Sequence, residues 1–133
     1  MDALLAEAEE RLAAIEEALR RFYDAYEARL RRVEERLRSG YHPLWEREAD
    51  NLSSLLRILS RALRVAREAR SAVSEGLQRA KARLVAVSLE ARRLRDDALY
   101  GAVRIPSEVR ARILTLYMLV ERLTALSGGG STP

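Results

Sequence analysis

The chain of 133 residues has 24 basic and 20 acidic side chains, one histidine and no cysteine, and its formal net charge is +4. The absence of cysteine excludes disulfides, thiolate metal sites and a cysteine nucleophile. Hydrophobic residues make up 48% and charged residues 33%, which is typical of a folded domain and not of a disordered or membrane-spanning chain. The acidic start and the lack of a long apolar run predict a cytoplasmic protein without a signal peptide or transmembrane segment.

The first predicted element is a helix over about residues 2–39. Apolar side chains recur mostly three and four positions apart along it, which places them on one helical face. They are Leu5, Leu12, Ile15, Leu19, Phe22, Tyr26, Leu30, Val33 and Leu37. Gly40 is the residue type common just past a helix end, where a positive φ is usual, and Pro43 suits the first turn of a following helix. We therefore expect the chain to turn near residues 40–43.

The second predicted element is a single long helix over about residues 44–100. One column of positions seven apart is apolar throughout and consists of Trp45, Leu52, Leu59, Ala66, Val73, Ala80, Val87 and Leu94. A second column four residues on consists of Ala49, Leu56, Leu63, Arg70, Leu77, Leu84, Ala91 and Ala98. Because the heptads stay in phase, the pattern favours one uninterrupted helix on the order of 85 Å long. The alternative is a break near Gly76, which would give a four-helix up-and-down bundle.

The third predicted element is a helix over about residues 106–126, with Pro106 at its first position and Gly101 ending the helix before it. Residues 127–133, "SGGGSTP", predict a flexible tail. The three helices together predict a single all-α domain over residues 1–126, folded as an extended antiparallel coiled-coil rod.

A rod of this kind would be only two helices thick, and its apolar stripe is broader than two helices can cover. We therefore expect a second copy, with a dimer as the first expectation, or a larger protein assembly to cover the surplus. The residues predicted to form that interface are Leu55, Ile58, Val65, Val85, Leu89, Tyr117, Met118 and Leu119.

A stripe of arginines is the other prominent feature of the middle of the chain. The predicted positions are Arg57, Arg61, Arg64, Arg67, Arg79, Arg83, Arg92 and Arg93. Arginine suits phosphate through its planar, bidentate group, so the stripe predicts sequence-independent binding to a nucleic-acid backbone as an alternative function. Two other interpretations stay open, namely a solvated helix face and pairing with the acid-rich first third of helix 1.

No motif in the sequence indicates catalysis, a cofactor, a metal or a small-molecule substrate. His42 is the only histidine and has no cysteine or second histidine to share a metal with. Phe22, Tyr23 and Tyr26 predict core or interface packing and not a ligand pocket. The main prediction is thus a non-catalytic structural or interaction protein. The arginine excess, with Lys81 as the only lysine, is typical of heat-adapted and of designed helical proteins alike.

Overall fold

The computed structural model describes residues 2–128, and within them the chain forms four α-helices. Their bounds are α1 Asp2–Ser39, α2 Pro43–Glu75, α3 Lys81–Tyr100 and α4 Ser107–Leu126. The prediction of an all-α chain is confirmed. The prediction of three helices is wrong, because residues 44–100 form two helices, and the alternative four-helix bundle fits. Ser127 and Gly128 follow α4, and the rest of the predicted tail lies outside the described residues.

The central helix is interrupted at Gly76. This residue has φ 110° and ψ 131°, a backbone conformation that side chains with a Cβ rarely adopt. The Gly76 N–H still donates to the Ala72 carbonyl at 3.0 Å and completes the last turn of α2 before the chain turns away. Gly76 therefore ends α2 by adopting a left-handed φ, and it is not a glycine tolerated inside a straight helix. Gly40, in contrast, does not adopt a positive φ, so that detail of the first turn was predicted wrongly.

The heptad pattern continues through this turn because the turn is itself one helical turn. The Ala80 N–H donates to the Gly76 carbonyl at 3.0 Å, and the Leu84 N–H donates to the Ala80 carbonyl at 2.8 Å. Leu77 and Ala80 are both buried, so each apolar column reaches the core on both sides of the reversal. An unbroken heptad pattern is thus compatible with a hairpin whose connection keeps the helical period.

The helices pack as an up-and-down bundle in which each helix contacts its neighbours in the chain and α4 returns to α1. The fully buried leucines and isoleucine at its centre come from all four helices and include Leu12, Leu19, Leu59, Leu84 and Ile113. Burying an aliphatic side chain of this size stabilises the fold by about 1.5–3 kcal/mol. The core therefore lies where all four helices run side by side.

Two connections fix the ends of the bundle. His42 caps α2, because its Nδ1 accepts a hydrogen bond from the Leu44 N–H at 3.2 Å. Gly101 ends α3 at a place where an added Cβ would lie 2.4 Å from the Asp97 carbonyl oxygen, so a larger residue would require the backbone to shift. Both residues have a structural task in the fold.

The two hairpins differ in length, which leaves part of the first one uncovered. The helices α1 and α2 have 38 and 33 residues, whereas α3 and α4 have 20 each. The loop between α3 and α4 reaches α2 at Asn51, whose side chain exchanges two hydrogen bonds with the Arg104 backbone. Beyond this contact, residues 27–51 project as a two-helix extension, which we call the arm.

Candidate protein interaction surface

The predicted arginine stripe does not form one continuous positive surface. Ion pairs to acids of neighbouring helices or turns engage four of its members, and Arg93 lies 3.9 Å from Glu90 of its own helix. The four are Arg61 with Glu90 and Asp97, Arg67 with Glu16, Arg83 with Glu75, and Arg92 with Glu121. Much of the positive charge counted along the sequence is thus balanced inside the bundle.

Arg61 illustrates this balance. Its Nε donates to Glu90 at 3.1 Å and its second guanidinium nitrogen donates to Asp97 at 2.6 Å. Both acids lie on α3, so the arginine joins α2 to α3 across half-buried side chains. A guanidinium held by two carboxylates has little capacity left for phosphate.

Glu16 lies in the acid-rich first third of α1 and pairs with arginines of α2. Its side chain is buried, with 8% of the residue exposed, and it accepts hydrogen bonds from Arg70 at 2.7 Å, Arg67 at 3.3 Å and Arg20 at 3.2 Å. Burial raises the pKa of Glu16, but the hydrogen bonds from Arg70 and Arg67 outweigh burial and hold the pKa below its usual value. Arg70, the one charged residue of the heptad columns, therefore pairs α2 with α1.

Three members of the stripe make no ion pair among the described side chains, namely Arg57, Arg64 and Arg79. Arg57 and Arg64 are exposed and lie seven residues apart on one face of α2, where Arg57 also donates to Ser54 at 3.0 Å. Arg79 lies in the turn before α3. The charge left free is smaller and more scattered than the sequence predicts.

The eight residues of the predicted interface separate into two groups. Leu55, Ile58, Val65 and Leu119 are buried by other helices of the same chain. This is a correction of the rod argument, because the reversal at Gly76 supplies the cover that a straight helix would have lacked. The others face outward to different degrees: Val85, Leu89 at 49% and Met118 at 67% are exposed, and Tyr117 is half-buried beneath Arg95.

The arm retains the two-helix thickness that was predicted for the whole rod. Leu12 and Leu19 are fully buried in the four-helix part, whereas Leu30 and Leu37 on the same face of α1 are only half-buried. The difference arises because α3 and α4 end before they reach the arm. The arm thus continues the apolar face of the bundle without its second pair of helices.

A groove lies at the step between the arm and the rest of the bundle. It has a volume of about 730 Å³ and includes Leu52 and Leu55 as its apolar floor, with Pro106 of the loop between α3 and α4 at one side. Its outer part is formed by Leu44, Arg47, Glu48 and Asn51 of α2 and by Tyr26 and Arg29 of α1. Arginines outnumber acids along its walls, since Arg29, Arg47 and Arg104 face a single Glu48.

The end of the arm presents large side chains to solvent. Tyr41 is 72% exposed and Leu44 is 62% exposed. Trp45 is held between neighbours, with its ring 5.4 Å from that of His42 and its ring centroid 5.6 Å from the Arg36 guanidinium. Tyrosine, tryptophan and arginine are the residues that most often carry binding energy in protein interfaces.

No protein-family model, curated protein or solved structure matches this chain. Among residues 2–128, no group of three or more histidine and acidic side chains is placed to hold a metal ion. None of the helices in that range combines the length and the apolar character needed to cross a bilayer.

The sequence interpretation missed the groove. Leu44 is apolar and lies off both heptad columns, which is the criterion that selected Leu55 and Val85, so the same criterion applied to the start of α2 would have found it. No comparable signal indicates Arg104, because Arg104 reaches the groove only through the fold of the second hairpin.

Proposed function

We propose that this protein is a non-catalytic interaction module that self-associates, or docks into a larger assembly, through its arm. The observation that supports the proposal most directly is the exposed Leu44 and Tyr41 at the end of a two-helix extension whose apolar face continues that of the core. A group of exposed apolar and aromatic side chains beside a groove is typical of a protein-binding surface.

The energetic case rests on apolar area and not on charge. Full burial of a leucine side chain that is otherwise exposed is worth about 1.5–3 kcal/mol, whereas an exposed ion pair contributes about 0–1 kcal/mol. Leu44 and Tyr41 can both gain by burial, and the half-buried Leu30 and Leu37 add to this. A partner that lies along the arm would thus gain more from these side chains than from the arginines of α2.

The non-catalytic part of the proposal follows from how the reactive residue types are used. The one histidine, His42, caps α2 through its Nδ1. The most buried acid, Glu16, is surrounded by three arginines that keep it ionised. Both groups are thus committed to structure.

Sedimentation velocity of the purified protein, with light scattering at the same micromolar concentrations, tests the proposal. We expect a species heavier than the 15.1 kDa of one chain. Leu44→Glu should shift the protein toward the single-chain mass, whereas Leu89→Glu, at a comparably exposed leucine on the outer face of α3, should not. A wild-type protein that sediments only as a compact single chain contradicts self-association. A shift caused by Leu89→Glu alone would place the contact on α3 and overturn the role of the arm.

A further inference from the structure

We propose that two copies of this chain exchange α3 and α4, with α2 and α3 of each copy joined into one straight helix through Gly76. Each bundle of the exchanged dimer then contains α1 and α2 of one copy and α3 and α4 of the second copy. This inference goes beyond the proposed function, because the arm takes no part in the contact.

The buried positions of α2 and α3 follow the same two heptad columns on both sides of the turn. In the first column every position from Leu52 to Leu94 is buried. In the second column every position from Leu56 to Ala98 is buried except Arg70. A hairpin does not require this agreement, because each of its helices can turn its core face inward independently of the other. A straight helix does require it, since its core face must stay on one side along the whole length.

The ion pairs between α2 and α3 fit an antiparallel contact between two straight helices. Arg61 of α2 pairs with Asp97 of α3. Glu75 of α2 pairs with Arg83 of α3. Both pairs are centred on position 79, so they belong to one antiparallel register.

The same pairs satisfy the symmetry of the exchanged dimer. At about 100° per residue, all four positions lie within about 40° of the direction of Arg61 on a straight helix, which places them on one edge. A two-fold axis at position 79 brings the same edge of the two antiparallel helices together, so each arginine meets an acid of the second copy. The exchange therefore keeps these ion pairs and changes only which chain supplies the partner.

The turn between α2 and α3 needs little change to become helical. Gly76 is the one residue of this turn with a positive φ. The residues after it already make helical hydrogen bonds, since the Ala80 N–H donates to the Gly76 carbonyl at 3.0 Å. Straightening therefore changes the backbone mainly at a glycine, which adopts either conformation without a steric clash of its own.

The exchange also brings a second copy to an apolar groove at this end of the bundle. The groove has a volume of about 310 Å³ and lies between the start of α1 and the end of α4. Its lining includes the exposed Leu4 and Leu126 and the buried Leu119 and Leu123. In an up-and-down bundle this end also carries the turn after Gly76. Two straight α2–α3 helices place the matching ends of two bundles against each other, so the exposed leucines of both grooves gain burial.

Protein concentration controls the balance between the two forms. The bent chain makes the contacts between its two hairpins without immobilising a second molecule, so it predominates at low concentration. At high concentration α3 and α4 of a folding chain meet a second copy more often, and the exchanged dimer forms. The additional burial at the junction then stabilises it.

Refolding at two protein concentrations tests the exchange. The full chain carrying Leu44→Glu is used, so that association through the arm does not contribute. It is unfolded in urea, refolded by dilution and separated by gel filtration. We expect a dimer of twice the 15.1 kDa single-chain mass after refolding at the high concentration and single chains after refolding at the low one.

A substitution at the hinge should shift this equilibrium. Gly76→Ala should lower the dissociation constant of the dimer by more than about tenfold, because alanine favours the straight helix at two positions in each dimer. Gly40→Ala is the matched control in the other turn and should leave the dissociation constant unchanged.

A cross-link between α2 and α3 identifies which chain supplies each hairpin. The chain has no cysteine, so Arg61→Cys with Asp97→Cys supplies one pair of thiols at positions whose native side chains meet at 2.6 Å. A short bis-maleimide joins this pair within one chain in the bent form and between two chains in the exchanged dimer. Glu75→Cys with Arg83→Cys is a second test pair at exposed positions, in case the loss of Arg61 destabilises the fold.

The matched control is a pair of thiols within the second hairpin. Arg92 of α3 and Glu121 of α4 meet at 2.9 Å, and both move together in the exchange. Arg92→Cys with Glu121→Cys should therefore be joined within one chain in either form.

The outcomes separate the exchange from association through the arm. A dimer linked between chains through the α2–α3 pair and within chains through the control pair supports the exchange. A dimer linked within one chain through both pairs has not exchanged and overturns this inference. Failure to obtain any dimer at high concentration, with glycine or with alanine at position 76, overturns it as well. The effect of Leu44→Glu on the mass of the otherwise unchanged protein decides the proposed function independently.

Discussion

Replacing Gly76 with alanine tests the physical reason for the four-helix fold. The residue has φ 110° and ψ 131°, where an L-residue with a Cβ is strained. No heavy atom lies within 4 Å of the position that the new Cβ would take, so the substitution introduces no clash with neighbours. Any loss of stability therefore reports the backbone conformation alone.

The expected magnitude follows from two contributions. Holding a non-glycine residue in a rarely populated backbone region costs about 1–3 kcal/mol, so Gly76→Ala should lower the free energy of unfolding by that amount. Alanine also favours a helix interior over glycine by about 1 kcal/mol, which stabilises a continuous helix through residues 44–100. Together these shift the balance between the bent and the straight chain by about 2–4 kcal/mol, and a straight chain can exchange its second hairpin with another copy.

Urea unfolding followed by circular dichroism measures the first contribution, and light scattering detects the exchanged dimer. Gly40→Ala is the matched control, because Gly40 also has open space around its missing Cβ but does not adopt a positive φ. Both variants should be compared at one protein concentration. Equal stability of Gly76→Ala and wild type, or an equal loss in the two variants, would refute the argument that this backbone conformation holds the hairpin.

The remaining predictions concern the charged side chains. Because the pKa of Glu16 is held below its usual value of 4.5 by the hydrogen bonds from Arg70 and Arg67, which outweigh burial, its contribution to stability is present above that pH and is lost as the pH falls through the lower folded-state pKa. The stability of Glu16→Gln should therefore fall less steeply than that of the wild type as the pH is lowered. The substitution should itself lower the free energy of unfolding by about 1.5–3 kcal/mol at neutral pH. A pH profile identical to that of the wild type would contradict this assignment. Arg61→Ala should lower the free energy of unfolding by about 1–2 kcal/mol, because Arg61 joins two helices. Arg64→Ala should change it by no more than about 0.5 kcal/mol. Similar losses in the two variants, measured by thermal or urea unfolding, would contradict this difference. In a salt-titrated gel shift, we expect any binding to nucleic-acid backbone to depend on Arg57 and Arg64 and to be unaffected by Arg61→Ala, and a loss with Arg61→Ala would show that its ion pairs open.

Helix formation could be predicted because it depends on local spacing. The three-and-four spacing of apolar residues placed the first helix at about 2–39, and α1 spans Asp2–Ser39. Pro106 and the apolar residues after it placed the last helix at about 106–126, and α4 spans Ser107–Leu126. Spacing of this kind is set by neighbours within one or two turns, which a single sequence contains.

The arginines show where local information ends. The helical face of the arginines could be predicted from the sequence. Their ion-pair partners could not, because Glu90 and Asp97 lie 29 and 36 positions after Arg61 in the chain. Whether such a stripe is free or paired depends on which helix packs beside it. The groove at the arm has the same origin, since Arg104 reaches it only after the second hairpin folds back.

The sequence by itself determined an all-helical chain, the position of its first and last helices and the face that each turns inward, because helical periodicity is a local property. Only the tertiary structure decided the reversal at Gly76. The free energies of a helix that continues through glycine and of a turn at glycine differ by about a few kcal/mol. The burial of Leu55, Ile58 and Val65 in the four-helix core is large enough to select the turn.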